Sequence, residues 1–160
     1  MTGDARERLI CPICGHIHYE NPRVLVACLV TYIDRVLLCR RALEPAYGLW
    51  APPGGYLEND ETLEDAAARE VWEEAGVKLT SCDLVLRGVT TLTELQQVYV
   101  HFSATTRDST CRAGAESLDA VFFEPCDIPW HRLAFPSIAR DLTQFLNDRV
   151  TTRVRLTCKS

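Results

Sequence analysis

Between Gly55 and Val77 the chain reads G-Y-L-E-N-D-E-T-L-E-D-A-A-A-R-E-V-W-E-E-A-G-V, and few folds accommodate such a stretch. A turn rich in proline and glycine, Pro52-Pro53-Gly54-Gly55, leads through an acidic loop into a helix. Thr62 suits the N-cap, with Asp65 three residues on as a capping-box acid, and Gly76 suits the position just past the last turn. Leu63, Ala66, Ala67, Val71 and Ala75 recur at helical spacing and form the face that packs on a core. Residues three and four apart are neighbours on a helix, so Glu70 lies beside both Glu73 and Glu74. Like charges gathered near the negative end of a helix dipole repel one another. Arg69 neutralises part of that charge. A hard divalent cation with oxygen ligands, Mg²⁺ or Mn²⁺, accounts for the rest. Most Glu-rich helices are solvated faces. Here the spacing argues otherwise.

The stretch fits G-x5-E-x7-R-E-U-x-E-E-x-G-U, with U aliphatic, at Gly55, Glu61, Arg69, Glu70, Val71, Glu73, Glu74, Gly76 and Val77. So many fixed positions at fixed spacing leave little room for chance. The pattern resembles the Nudix box, and the resemblance runs from about Asn21 to Asn147. It implies an α/β fold, an α/β/α sandwich with a mixed, largely antiparallel sheet. It also implies hydrolysis of a nucleoside diphosphate linked to another moiety. Glu70, Glu73 and Glu74 then become the expected metal ligands, with the Gly55 carbonyl as an additional one. Arg69 and Glu61 are expected to pair and fix the loop against the helix. Glu58 and Glu64 occupy unspecified positions and read as solvated.

The general base is open. Glu116, in Ala115-Glu116-Ser117-Leu118-Asp119, is the candidate that the resemblance suggests, and a residue that merely caps a loop is the alternative. Asp119 could instead orient a metal. Arg40 and Arg41 end a strand just before the Gly-rich turn, and by alternation one of them faces the cleft, where it can grip a phosphate. Trp50, Tyr56 and Tyr99 are candidates for stacking a purine ring, against the alternative of core or rim.

With 160 residues and 47% hydrophobic composition, the chain suits one globular domain. A formal net charge of −5 without a basic stripe disfavours extended nucleic-acid binding. No apolar run has the length of a membrane span, and the first residues lack the apolar core of a signal peptide. A cytoplasmic protein is therefore the expectation. Eight scattered cysteines, with Cys28 and Cys39 inside apolar strands, read as free thiols in a reducing compartment.

Cys11-Pro12-Ile13-Cys14-Gly15-His16 is a knuckle of the kind that holds zinc, yet no second C-x-x-C follows or precedes it. The family resemblance adds an N-terminal zinc ribbon built from two such knuckles. Residues 1–22 correspond to its second half, continuing through Ile17-His18-Tyr19-Glu20-Asn21-Pro22. Two ligands disfavour bound zinc at Cys11 and Cys14, and a turn with Gly15 at positive φ is the alternative.

Residues 23–149 carry the main domain. Val24 to Ile33 is an apolar, β-branched run, expected as a central strand buried on both faces. Asp34-Arg35 is expected as a tight turn and Val36 to Arg41 as the returning strand. Gly48 to Gly55 breaks regular structure. Leu79 to Val89, Gln96 to Thr106 and Ala120 to Glu124 read as strands, and Pro136 to Asn147 as an amphipathic helix with Ile138, Leu142, Phe145 and Leu146 inward. The tail over residues 150–160 alternates and reads as an edge strand.

The phrases His18-Tyr19-Glu20-Asn21-Pro22, Glu116-Ser117-Leu118 and Leu133-Ala134-Phe135-Pro136-Ser137-Ile138 are similar to a subgroup of Nudix enzymes that cleave ADP-ribose or FAD to release AMP. Alternatives are a pyrophosphatase that removes oxidised nucleoside triphosphates and a non-catalytic nucleotide-sensing module. Dimers are common among the ADP-ribose enzymes, which leaves a homodimer open here.

Overall fold

The computed structural model describes residues 7–157, with side chains described as far as Arg149. A small hairpin, β1 (Leu9–Ile10) with β2 (Ile17–His18), forms a two-stranded sheet of its own. Everything else is arranged about β3 (Arg23–Tyr32). Its partner β8 (Gln97–Thr105) runs parallel to it through nine residue pairs, from Arg23↔Gln97 to Thr31↔Thr105. On its other edge β3 meets β6 (Gly54–Tyr56) and, at Thr31 and Tyr32, β4 (Arg35–Arg41), both antiparallel. Away from that junction β4 pairs with β5 (Trp50–Ala51) and β9 (Ser117–Phe123), and β7 (Val85–Leu92) forms the far edge beside β8. The sheet is thus mixed: among the described strands β3 and β8 pair in parallel and the others pair antiparallel.

Alternation along the strands sorts the core into two layers. Val26, Cys28 and Val30 of β3, with Leu37 and Cys39 of β4, pack against Ala66, Ala67, Val71 and Ala75 of α1 (Leu63–Ala75). On the opposite face Leu29, Val36, Leu38 and Trp50 pack against Leu142 and Phe145 of α2 (Pro136–Thr157). A helix covers each face, the α/β/α arrangement that the resemblance implied. Burial also pushes the Cys28 thiol up to about 12.

Several expectations are corrected. The turn after β3 is Ile33-Asp34, with Tyr32 facing Arg35 across the hairpin and Ile33 at φ 54°. Arg149 anchors that turn by donating to the Ile33 carbonyl at 2.7 Å and to the Thr31 hydroxyl at 2.9 Å. Trp50–Ala51 and Gly54–Tyr56 are strands within the stretch expected to break regular structure. Pro52 and Pro53 interrupt the ladder only between them. The first residues of the expected Leu79 strand form instead a 3₁₀ turn at Ser81–Asp83, where the Asp83 carboxylate accepts from the Thr80 N–H at 2.8 Å. The expected edge strand after Val150 is helical to Thr157. Lengthening an existing helix needs no new nucleus, so α2 continues through residues whose pattern alone suggested a strand.

Candidate active site

Helix α1 carries the candidate site, and both of its ends are tied down. The Thr62 hydroxyl accepts from the Asp65 N–H at 3.1 Å and donates to the Asp65 carboxylate at 2.7 Å. At the other end Gly76 lies at φ 66°, its N–H donating to the Trp72 carbonyl at 2.8 Å. Two carbonyls of the last turn are met from a distant loop: Arg112 N–H donates to Ala75 O at 2.8 Å and Gly114 N–H to Glu74 O at 3.1 Å. A Cβ on Gly114 would collide with the Glu73 carbonyl, so only glycine allows the loop before β9 to approach so closely.

Arg69 is the hub of the box. Its Nε donates to Glu61 Oε2 at 2.9 Å and its Nη2 to Glu61 Oε1 at 2.7 Å, a two-pronged pair. Nη2 also donates to the Tyr56 carbonyl at 3.0 Å. Nη1 reaches Glu70 Oε1 at 2.7 Å and Glu73 Oε2 at 3.0 Å. The paired guanidinium and the Glu58 N–H hold the Glu61 carboxyl below the usual range. One cation therefore engages three carboxylates and ties the loop to the helix.

Glu74 is outside that network. Burial pushes its carboxyl up to about 8, and the neighbouring Glu70 charge adds to the effect. An N–H from Gly54 and the more distant Arg41 charge oppose the shift without cancelling it. Glu70, with a side chain 12% exposed, is also raised, because its burial outweighs the contact with Arg69. The unfavourable cost of negative charge anticipated for the helix thus falls on two sheltered carboxyls beside the Gly54-Gly55 turn. A Cβ on Gly55 would fall on the Glu70 carboxylate, and one on Gly54 would lie 2.8 Å from Ala27 Cα. Gly55 lets the turn lie against the Glu70 carboxylate of the helix, and Gly54 lets it lie against the backbone of β3.

This donor set suits a hard divalent cation in its chemistry: carboxylate oxygens, sheltered, with more negative charge than Arg69 offsets. Among the described residues no three His, Cys, Asp or Glu side chains converge at metal-ligand range. Arg69 draws Glu70 and Glu73 to itself, and Glu73, 54% exposed, is directed outward.

The other candidates separate clearly. Glu116 is exposed, its carbonyl accepts the Ala42 N–H at 2.9 Å, and its charge acts on both Glu70 and Glu74. The Asp119 carboxylate accepts the Ala120 N–H at 2.9 Å. Arg40 donates to the Gly48 carbonyl at 3.1 Å and so secures the loop before β5. Arg41, one residue on and past a bulge, bonds the Pro45 carbonyl at 3.0 Å while its charge reaches Glu74 and Tyr99. Tyr56 and Tyr99 both pair with Leu25 across β3, so they project from one sheet face. Trp50 is 7% exposed and packs edge-on against Phe123 with ring centres 4.9 Å apart. It is a core residue beneath α2 and is withdrawn as a stacking partner. Cys11 and Cys14 lie on the separate β1–β2 hairpin.

Sequence reasoning missed Gly114, Arg23 and Gln97. Arg23 lies 5.1 Å over the Tyr56 ring, and Gln97 donates to the Tyr56 hydroxyl at 3.2 Å. Their only signal was position in β3 and β8 opposite one another.

The NUDIX domain family model matches residues 21–144, and the Nudix N-terminal zinc-ribbon model matches residues 1–20. A Nudix hydrolase of known structure from Nitrosomonas europaea superposes with a TM-score of 0.83 at 39% identity, covering 93% of this chain and 84% of that one. The Nudix domain of Shewanella oneidensis NrtR, solved with ADP-ribose, shares the fold with a TM-score of 0.70 at 22% identity, over 82% of this chain and 90% of that one. Phosphatase NudJ of Escherichia coli K12 is 46% identical over 57 residues, 36% of this chain and 37% of the relative, so the match spans little more than a third of that protein. Nudix enzymes generally use divalent metal ions. On the extent of the domain match and the likeness to the Nitrosomonas enzyme, the chain belongs to the Nudix hydrolase family.

Proposed function

We propose that this Nudix hydrolase cleaves the pyrophosphate bond of a nucleoside diphosphate linked to another moiety, ADP-ribose or FAD before others, and releases AMP. One observation carries the metal-dependent part: Glu74, a sheltered carboxyl pushed up to about 8, stands beside Glu70 and outside the reach of Arg69. Glu70, Glu73 and Glu74, with the Gly55 carbonyl, would hold Mg²⁺ or Mn²⁺. Such ions, when bound, neutralise adjacent phosphates and lower the pKa of the attacking water.

The remaining roles follow from the chain's own groups. Glu61 and Arg69 hold the loop and helix in register, so the ligands keep their spacing. Glu116, whose charge acts on Glu70 and Glu74, takes the proton of the attacking water. Arg41 faces the diphosphate with its charge. Tyr56 and Tyr99 offer a flat apolar surface to a base. The phrases His18-Tyr19-Glu20-Asn21-Pro22 and Glu116-Ser117-Leu118 favour ADP-ribose and FAD, and a neighbour of the same fold binds ADP-ribose. A second reading is hydrolysis of an oxidised nucleoside triphosphate, and the partial match to a protein named a phosphatase does not choose between the two.

The test is product analysis with Mg²⁺ or Mn²⁺ across ADP-ribose, FAD, NADH and 8-oxo-dGTP. AMP from ADP-ribose or FAD is the expected result. Turnover of 8-oxo-dGTP alone would replace the first reading with the second, and no product from any of the four would overturn both.

A further inference from the structure

Arg23, Tyr56 and Gln97 gather on the sheet face turned away from α1. Val24 and Val26 of β3 belong to the core layer beneath that helix, so by alternation Arg23 and Leu25 face the other way. Tyr56 lies opposite Leu25 in the ladder, and Gln97 lies opposite Arg23. The Arg23 guanidinium sits 5.1 Å over the Tyr56 ring, and Gln97 Nε2 donates to the Tyr56 hydroxyl at 3.2 Å. The backbone beneath them is fixed as well. Gln96, at φ 52°, closes the 3₁₀ turn before β8, and its carbonyl accepts the Arg23 N–H at 2.9 Å. The ring is thus held on one face and at its hydroxyl, while Tyr56 stays 42% exposed.

This cluster adjoins the candidate active site. Tyr56 follows Gly55, which lies against the Glu70 carboxylate, and the Tyr56 carbonyl accepts from Arg69 Nη2 at 3.0 Å. A nucleoside whose diphosphate is bound at the box would reach the Tyr56 ring one residue along β6. Arg23 covers one face of that ring, which leaves the other for a flat base to stack on. Gln97 stands at the edge of the same ring. Donating through Nε2 to the hydroxyl turns its amide so that the carbonyl oxygen is directed away from Tyr56. That oxygen has no hydrogen-bond partner among the described residues. An amide oxygen held at the edge of a stacked base suits an amino group, which donates to it.

We propose that Gln97 is the specificity-determining residue for the base: its carbonyl oxygen accepts from the 6-amino group of an adenine stacked on the free face of Tyr56. Tyr56 has two parts in this, the ring as platform and the hydroxyl as the anchor that orients the amide. The proposal deepens the hydrolytic reading and rests on it for the place of the diphosphate.

The test is equilibrium titration of the full chain, in Mg²⁺, with AMP and with purine riboside 5′-monophosphate, which lacks only the 6-amino group. The parent should bind AMP about tenfold more tightly, the scale of one hydrogen bond left unmade. Gln97→Leu should weaken AMP to the level of the analogue and leave the analogue unmoved. Tyr56→Phe keeps the ring but frees the amide to turn, and it should also bring the two affinities together. Equal binding by the parent overturns the proposal. So does a preference that Gln97→Leu leaves intact, a loss that this variant inflicts on both nucleotides alike, or binding of neither nucleotide by the parent. A parent that prefers AMP yet releases no product from ADP-ribose or FAD would keep this proposal and remove the hydrolytic reading.

Discussion

The box helix and the N-terminal knuckle each gather groups suited to a metal, and the two regions hold those groups differently. The carboxylates of α1 sit on a helix whose other face is packed into the core by Ala66, Ala67, Val71 and Ala75. An internal cation, Arg69, engages two of them, Glu70 and Glu73, together with Glu61 of the preceding loop. The thiols of the knuckle sit on a hairpin whose two strands form a sheet of their own, apart from that core. A site on a core element keeps its shape from the fold, and a site on a bare hairpin keeps it from what it binds. Removing a ligand from the first should therefore cost catalysis far more than stability.

The largest effect should come from Glu73→Gln. The side chain is half exposed and pairs with Arg69 at the surface, so the thermal transition should stay within about 0.5 kcal/mol of the parent. Turnover should fall about 10²–10³-fold, the scale for losing one charged group where charge develops. AMP release in Mg²⁺ measures the first and a melt the second. If folding failed while the residual turnover per folded molecule held, the contrast between the two regions would be wrong.

Arg69→Gln probes the same contrast from its hub. Glu61, Glu70 and Glu73 would lose their shared cation, and the Tyr56 carbonyl its donor. Because the guanidinium is 29% exposed, solvent screens part of the loss, and about 2 kcal/mol of stability is expected to go. Turnover should drop about 10- to 100-fold through misplaced ligands. Denaturant midpoints at unchanged slope check the stability part. Loss of activity with no change in midpoint would mean that Arg69 acts on substrate and does not hold the site together.

Box, caps and core stripe were legible because each is local, set by side chains three or four apart on one helix. β3 was legible because an unbroken apolar run has few other uses. What escaped depends on distant partners. Gly54–Tyr56 is a strand because β3 offers its edge to it, and no pattern within three residues announces that. Trp50 stands just before the Gly-rich turn, where an aromatic ring suits stacking, yet the short β5 turns it inward onto Phe123 and Leu133 beneath α2. The alternation after Val150 fits a strand, but an adjoining helix extends more easily than a new ladder forms. Gly114 is one more loop glycine until the tertiary fold sets it against the Glu73 carbonyl.

Gly114→Ala tests that last contact. The added methyl group would press on the backbone of α1, and the loop must give way, at about 1–3 kcal/mol. The hydrogen bond from Gly114 N–H to Glu74 O should lengthen with it, which urea melts and amide exchange at Gly114 can detect. An unchanged midpoint would show that the loop is not bound to the helix end, and the site would rest on α1 and the glycine turn alone.

The last effect is a slope in the pH dependence of stability, and it locates the charge that Arg69 leaves uncompensated. A carboxyl whose folded-state pKa lies above the unfolded value holds its proton more tightly when folded. For Glu74 the stabilising contribution is complete below about 4.5 and is lost as pH rises through about 8. In chelator the parent should therefore lose melting temperature across that window relative to Glu74→Gln, which carries no proton to lose. The two curves should converge below the window and run parallel above it. Mg²⁺ should flatten the parent's slope, because a bound cation favours the ionised form, and should leave the variant's slope unchanged. Superimposable curves in chelator would mean that Glu74 is ionised and already compensated. The box helix would then be fully balanced by its own cation, and the electrostatic case for a metal at α1 would be lost.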